Sequence, residues 1–222
     1  MRDINIEWLS RAAEFDHLFN MRWMGERFFH LPGDMQAIQD IVWRTRPECI
    51  VQTGVAAGGG ILFSASMLEL LGEDGKVVAI EPRLRDTVKQ TLQSHRLASR
   101  IVLLEGESCE ENTLAQVRQH IQACQSVIVV LDLTHTHQHV LRELQCYAPL
   151  ATPGNYVVVM DTIMEYLPEP MFAGKPYGKG NNPATAVSEF LADNIGFQVD
   201  EEVEDRVIMT LSPGGFLKRV QQ

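Results

Sequence analysis

The chain has 222 residues, a length that suits one α/β domain. A hydrophobic fraction of 45% is normal for a packed globular protein and excludes a disordered chain. The formal net charge of −10 disfavours a protein that binds nucleic acid or an anionic membrane, because such a surface has to neutralise phosphates.

The start of the chain and its cysteines bear on where the protein resides. Residues 1–5 carry no apolar signal core, and no apolar run is long enough to span a membrane. The cysteines are far apart and form no CxxC pair: Cys49, Cys109, Cys124 and Cys146. We therefore predict a soluble cytoplasmic protein with reduced thiols, and neither a zinc site nor a disulfide framework.

The first 46 residues are predicted to form a helical extension. An apolar stripe indicates a helix from Ile6 to Met24. A second helix is predicted from an N-cap at Asp34 to Arg44, and it must end before Pro47. The stripe of the first helix consists of Trp8, Leu9, Ala12, Phe15, Leu18 and Phe19.

An aromatic, irregular segment, Trp23–Pro32, separates the two predicted helices. It suits a substrate entrance or plain core packing. The stripe of the first helix, extended by Trp23 and Phe28, is larger than a helix covering a sheet requires. We therefore predict that residues 1–46 pack on the core or form the interface of a homo-oligomer, and that residues 47–222 form the ligand-binding domain.

A glycine-rich turn follows the first predicted strand, Cys49–Val51. It runs from Gln52 to Gly60 (QTGVAAGGG) and precedes an apolar helix, Ile61–Leu71. Strand, glycine turn and helix together let backbone N–H groups approach a nucleotide-like ligand. The pattern is not the dinucleotide fingerprint GxGxxG, which disfavours a nicotinamide-dependent oxidoreductase. Glycines here also suit tight strand–helix packing alone.

Apolar runs alternate with helical segments through the middle of the chain. Runs this apolar suit strands buried on both faces of a parallel sheet, and the alternation predicts a doubly wound α/β fold with helices on both faces. The predicted strands are 49–51, 76–80, 100–104, 126–131 and 155–159, and the helices between them are 61–71, 86–93, 113–123 and 137–147.

The C-terminal part departs from this alternation. Thr162–Asn182 is rich in Gly, Pro and Met and has a length typical of a lid or binding loop. A helix is predicted from Pro183 to Asp193. Phe197–Val203 and Arg206–Leu211 are then predicted to form an antiparallel hairpin, which completes a mostly parallel sheet of seven strands.

Polar residues follow several of the predicted strands, at the edge where open parallel sheets bind ligands. Glu81 closes the second strand, where nucleotide-binding folds place an acid that accepts hydrogen bonds from ribose hydroxyls. A solvated carboxylate at the start of a helix is the alternative. Glu107 and Ser108 follow the third strand and are predicted to contact adenine.

The densest polar cluster follows the fourth strand. Asp132 ends the strand, and His135, His137 and His139 alternate after it. An aspartate and a histidine at a strand end suit acid–base chemistry or a metal site. Zinc bound by all three histidines is disfavoured, because alternate residues diverge around the axis of a helix.

Several motifs together resemble the cephalosporin hydroxylase/rhamnosyl O-methyltransferase family. They are Trp23–Gly25, Gln52–Gly59, Glu105–Ser108, Leu131–Leu144, Tyr156–Thr162, Gly180–Pro183 and Ser212–Gly215. The resemblance implies a Rossmann-like class I methyltransferase fold, S-adenosylmethionine (SAM) as cofactor, and methylation of a hydroxyl on a small sugar or specialised metabolite. Together with the strand-end position of Glu81, it predicts the cofactor-binding residues Gln52, Thr53, Gly54, Gly58, Gly59, Glu81, Glu107, Ser108 and Asp132.

The same resemblance assigns catalytic roles. Related macrolide-sugar methyltransferases hold Mg²⁺ with an aspartate at the Asp132 position and a Glu-Asp pair after the fifth strand. In this chain the pair is Met160-Asp161, so the implied metal ligands are Asp132 and Asp161. The catalytic base of those enzymes, a histidine three residues beyond the first aspartate, falls on His135.

Three departures from the family pattern leave the mechanism open. Met160 replaces a glutamate and is a poor ligand for Mg²⁺, Gln52 replaces a glutamate, and Gly60 replaces a serine. Three interpretations follow: Mg²⁺ bound by two aspartates and water, metal-free methylation with His135 as base, or a SAM-binding protein without catalysis that assembles with an active enzyme.

Overall fold

The computed structural model describes residues 2–14, 20–207 and 209–220, with the backbone alone described at residues 2, 3, 13 and 14. The helices are α1 (Arg2–Glu14), α2 (Pro32–Thr45), α3 (Gly59–Leu71), α4 (Asp86–Ser94), α5 (Glu111–Ile121), α6 (His137–Tyr147), α7 (Pro183–Asp193) and α8 (Glu201–Val207). The strands are β1 (Arg22–Trp23), β2 (Glu26–Arg27), β3 (Cys49–Thr53), β4 (Lys76–Glu81), β5 (Ile101–Glu105), β6 (Val127–Leu131), β7 (Tyr156–Val159), β8 (Phe197–Val199) and β9 (Phe216–Arg219).

Seven of these strands form one sheet in the order β5-β4-β3-β6-β7-β9-β8. The pairs among β3 to β7 are parallel, whereas β9 pairs antiparallel with both β7 and β8. Thr53 lies opposite Leu131, and Leu131 lies opposite Val159. The residues that follow these three strands therefore emerge side by side at the carboxyl edge of the sheet.

Helices cover both faces of the sheet, as the alternating pattern predicts. In β3, Ile50 joins the core beneath α2, α3, α4 and α8, while Cys49 and Val51 join the core beneath α5, α6 and α7. Successive residues of a strand point to opposite faces, so one apolar strand supplies both cores. Among the described residues, no helix is both long and apolar enough to cross a membrane.

The N-terminal part differs from the predicted long helix. α1 ends at Glu14, and Arg22–Trp23 belongs to a small hairpin rather than to a helix. Met24 and Gly25 both have positive φ (50° and 95°), which makes the tight turn between β1 and β2. Phe15, Leu18 and Phe19 of the predicted stripe lie outside the described residues.

Core packing accounts for the aromatic residues of this hairpin. The Trp23 ring stands edge-on to Phe63 with 5.1 Å between centroids, and its Nε1 donates to Ser66. Phe28 is buried. These two residues therefore give no support to an oligomer interface. Ile4 and Trp8, on one face of α1, are exposed, and the homo-oligomer stays a prediction.

Two further predictions of local structure are wrong. Leu31, not Asp34, is the N-cap of α2, and Asp34 lies inside the first turn. The segment Glu201–Val207 is α8 rather than part of a strand, and the second strand of the C-terminal pair is β9. Acidic residues fill the first turn of α8, where they suit the helix dipole, and Val203 alone in α8 is buried.

Candidate functional site

The glycine turn after β3 is shaped by its contact with β6. Gly54 has a φ of +88°, and a Cβ added there would lie 2.1 Å from the backbone oxygen of Asp132. A side chain at this position would therefore push the two parallel strands apart. Gly54 brings the end of β3 against the end of β6, which places Asp132 beside the turn.

Gly58 and Gly59 have different structural roles in the same turn. Gly58, with a φ of +91°, is the N-cap of α3 and supplies no side-chain cap. The first N–H groups of α3 are thus available to a ligand at the carboxyl edge of the sheet. A Cβ on Gly59 would lie 2.2 Å from the backbone oxygen of Arg27, so Gly59 lets the β1–β2 hairpin pack over the helix start.

Glu81, at the end of β4, holds the turn in shape. Its Oε2 accepts hydrogen bonds from the backbone N–H groups of Val55 (2.9 Å) and Ala56 (3.3 Å). Ala56 has a positive φ of 49°, which is uncommon for a residue with a side chain. Arg85 donates to the Ala56 carbonyl at 2.6 Å. Glu81 therefore lies beside the proposed nucleoside site with one oxygen already engaged.

Other predicted cofactor residues differ in their access to a ligand. Gln52 is buried and accepts from the Ser64 hydroxyl at 3.2 Å, and Thr53 is buried with its Oγ1 3.4 Å from the backbone nitrogen of Asp132. Glu107 is exposed, whereas Ser108 is fully buried. Gln52 and Thr53 thus shape the turn from within, and roles for Glu107 and Ser108 at adenine stay predictions.

The three histidines of the predicted cluster do not lie together, and each faces a different acidic residue. Nε2 of His135 lies 3.6 Å from Oδ2 of Asp161. His137 bridges two helices, because its Nδ1 is 2.9 Å from Thr185 Oγ1 and its Nε2 is 3.1 Å from Glu189 Oε2, both on α7. His139 faces Glu143 on its own helix. Only His135 joins the group of polar side chains around Asp132 and Asp161.

Asp161 lies beside the His135 imidazole, with 3.6 Å between Oδ2 and Nε2. Its backbone is left-handed (φ 61°), a conformation that aspartate adopts more readily than most residues with a side chain. Burial raises the pKa of Asp161 to about 6, although the nearby His135 acts in the opposite direction. Tyr177, from the long loop 162–182, stands edge-on to the His135 ring at 5.2 Å.

A further histidine, His30, contacts Asp132 and was not predicted as a site residue. Its Nε2 lies 3.0 Å from Oδ2 of Asp132, and the side chain is buried. Burial alone would lower the pKa of His30, but the charge of Asp132 and the hydrogen bond to it raise the pKa to about 8. The only sequence signal was the irregular aromatic segment that contains His30.

The side chains near Asp132 and Asp161 do not fit a magnesium centre with three carboxylates. Among the described residues, no group of three or more His, Cys, Asp and Glu side chains is arranged to hold a metal ion. Asp132 and Asp161 each face a histidine. Met160 is buried, and its Sδ accepts a hydrogen bond from Ser212 at 3.4 Å, so it adds no oxygen ligand.

Comparison with known proteins gives a consistent assignment. The family description "Rhamnosyl O-methyltransferase/CmcI" matches residues 16–220. A rhamnosyl O-methyltransferase of Mycobacterium leprae (strain TN) is 26% identical over 200 residues, which cover 89% of this chain and 82% of the relative.

Two solved structures of CmcI share the fold. The one with S-adenosylhomocysteine has a TM-score of 0.65 at 19% identity and covers 96% of this chain and 92% of CmcI. The one with Mg and SAM has a TM-score of 0.62 at 20% identity and covers 91% and 78%. Together with the strand order, these structures confirm the predicted Rossmann-like class I methyltransferase fold.

Proposed function

Because the chain belongs to the rhamnosyl O-methyltransferase/CmcI family and is a SAM-dependent O-methyltransferase, we propose that it methylates a hydroxyl of a sugar or a specialised metabolite. The observation that carries the proposal is the His135–Asp161 pair beside Asp132, at the edge of the sheet where the glycine turn opens. An oriented imidazole at this edge suits removal of a proton from a hydroxyl.

The residues of the turn fit SAM as the methyl donor. The uncapped N-terminus of α3 at Gly58 offers N–H groups to the carboxylate of an amino acid. Glu81 and Glu107 lie at the ends of the next two strands, on the side where the ribose and adenine of a nucleoside would bind. When bound, SAM supplies an electrophilic methyl group on a sulfonium centre.

The chain's own residues would then handle the acceptor and its proton. Nε2 of His135 faces Asp161, so Nδ1 is the nitrogen that accepts the hydroxyl proton. The acceptor oxygen forms its bond to the methyl carbon as the carbon–sulfur bond breaks, and the Asp161 carboxylate stabilises the imidazolium. The proton leaves to water after methyl transfer. No step is assigned to a metal ion, because the described residues offer no group of three or more His, Cys, Asp and Glu side chains arranged to hold one.

The loop 162–182 supports a sugar as the acceptor. The Tyr177 ring stands edge-on to His135 with 5.2 Å between centroids, and it also contacts Phe172, with 6.2 Å between centroids. Aromatic rings beside the proposed base offer an apolar surface for the C–H face of a sugar, while its hydroxyl points towards His135.

A cytoplasmic location of the protein stays a prediction.

The proposed cofactor site predicts that SAM stabilises the protein against heat. At a hundredfold excess over its dissociation constant, a ligand adds about 2.7 kcal/mol to the free energy of unfolding. For a chain of this length that is a rise in melting temperature of roughly 5 to 10 °C. A thermal-shift assay with SAM, S-adenosylhomocysteine and NAD checks this. An equal shift with NAD, or none with the first two, would contradict the cofactor assignment.

The acceptor is tested by methyl transfer from labelled SAM to a panel of small glycosides and their deoxy analogues. We expect label on glycosides that present a free hydroxyl and none on the analogue that lacks that hydroxyl. Tight SAM binding without transfer to any acceptor would instead support the alternative function, a SAM-binding protein that assembles with an active enzyme.

A further inference from the structure

His30 lies in the short segment between β2 and α2 and is buried. Its ring stands edge-on to the buried ring of Phe28, with 4.7 Å between centroids. Only 6% of the residue is exposed, and Nδ1 is buried without a hydrogen-bond partner. Burying a polar atom without a partner costs free energy, so Nδ1 does not contribute to the stability of this arrangement. Its other nitrogen, Nε2, is directed at Asp132.

Two acidic residues lie near this imidazole. Oδ2 of Asp132 is 3.0 Å from its Nε2, and the buried Asp34 follows His30 by four residues in the first turn of α2. Carboxylates gathered in a mostly buried site repel one another unless a cation or a strong donor lies between them. His30 is the side chain that the structure places against Asp132 for this purpose.

Met160, the residue before Asp161, is an apolar residue of the core. Its side chain is 1% exposed, belongs to the core beneath α2 and α3, and is held by the Ser212 hydroxyl. Ser212 is itself held by two hydrogen bonds, since its N–H donates to Thr210 Oγ1 at 2.9 Å and its carbonyl oxygen accepts from the N–H of Gly215 at 2.9 Å. The residue next to Asp161 thus turns into the core and cannot serve a hard cation.

We propose that His30 takes the place of a divalent cation in this site: its Nε2–H donates a hydrogen bond to Oδ2 of Asp132 and holds the carboxylate where a cation would otherwise hold it. The other oxygen of Asp132 is left to accept a hydrogen bond from a second hydroxyl of the acceptor, beside the one that gives its proton to His135, and methyl transfer needs no metal. The proposal rests on the proposed function. His30 is a positioning residue, since it acts on the acceptor only through Asp132.

The first test measures cation binding rather than activity. Mn²⁺ replaces Mg²⁺ because both prefer oxygen ligands, and its binding is followed by electron paramagnetic resonance. We expect a dissociation constant above about 1 mM for the wild type and for Met160→Glu, because His30 still engages Asp132 in both. The double variant His30→Ala/Met160→Glu frees Asp132 and adds an oxygen ligand, so it is expected to bind at least about tenfold more tightly than Met160→Glu.

The second test measures methyl transfer in the presence of a chelator. The wild type is expected to keep its kcat when EDTA is added. His30→Phe removes the donor but keeps a ring, and we expect its kcat to fall at least about tenfold with the KM for SAM unchanged. His30→Gln retains an N–H donor and is expected to recover most of the loss. A purely structural role for His30 would instead lower the melting temperature of both variants and leave kcat alone.

The outcomes separate this inference from the proposed function. Activity that is lost with EDTA and restored by Mg²⁺, or tight Mn²⁺ binding by the wild type or by Met160→Glu alone, would overturn it. If a His30 variant does not fold, Mn²⁺ binding by the wild type and by Met160→Glu still tests the proposal. If the wild type methylates no acceptor, the proposed function fails, while the Mn²⁺ titrations still test whether His30 occupies the place of a cation.

Discussion

Replacing His135 with alanine is expected to slow methyl transfer by about 10² to 10⁴, while the affinity for SAM stays the same. The imidazole faces Asp161 at 3.6 Å and packs against Tyr177, so it is oriented to accept a proton from the acceptor. Its loss leaves the hydroxyl to transfer its proton to water. The measurement is kcat with labelled SAM, together with the SAM dissociation constant from calorimetry.

His137→Ala is the matched control, since it removes the same side chain two residues away. His137 joins α6 to α7 through Thr185 and Glu189 and does not reach Asp161. We expect a lower melting temperature and a kcat within about threefold of wild type, as is usual for a residue outside the reaction. Equal losses of kcat in the two variants, or none in His135→Ala, would show that His135 is not the base.

The parallel part of the sheet could be predicted from the sequence because its signal is local. β3, β4, β5, β6 and β7 are short apolar runs between helices, and the predicted strands overlap all of them. Helices α6 (His137–Tyr147) and α7 (Pro183–Asp193) were predicted at their observed ends. Asn182 shows why: its side chain caps α7 by accepting from the N–H of Ala184.

The errors lie where tertiary contacts outweigh local pattern. The apolar residues of 20–24 continue a helical stripe, yet the Trp23 ring packs against Phe63 and a positive φ at Gly25 turns the chain back. In the sequence, Val203 looks like a continuation of the strand that begins at Phe197. In the structure it belongs to the short helix α8, where it is the buried residue and most of the acidic residues around it face the solvent.

The candidate site was only half predictable for the same reason. Asp132, His135 and Asp161 follow strand ends, which a pattern of strands reveals. His30 meets Asp132 across 102 residues of sequence, and no periodicity links the two. The fit to a metal also could not be judged from Met160 alone, because it depends on where the thioether and the two carboxylates point.

Asp34 supports the strongest prediction about stability. The fully buried carboxylate accepts hydrogen bonds from the backbone N–H groups of Leu31 (2.8 Å) and Leu211 (2.9 Å) and from the Thr210 hydroxyl. Burial raises its pKa despite these bonds. Asp34→Ala leaves all three donors buried without an acceptor, so we expect a loss of about 3 to 5 kcal/mol in the free energy of unfolding. Urea denaturation followed by circular dichroism measures it.

Asp40→Ala, on the same helix, is the control for Asp34→Ala. Asp40 forms ion pairs with Arg44 (3.1 Å) and Arg206 (3.2 Å) at the protein surface, where such pairs contribute about 0 to 1 kcal/mol. The melting temperature should therefore fall by roughly 6 to 20 °C in the Asp34 variant and by only a few degrees in the Asp40 variant. A comparable fall in melting temperature in both variants would mean that the hydrogen bonds of Asp34 do not stabilise the contact between α2 and the segment around Leu211. In that case the position of His30, four residues before Asp34, would depend on its packing against Phe28 and its hydrogen bond to Asp132.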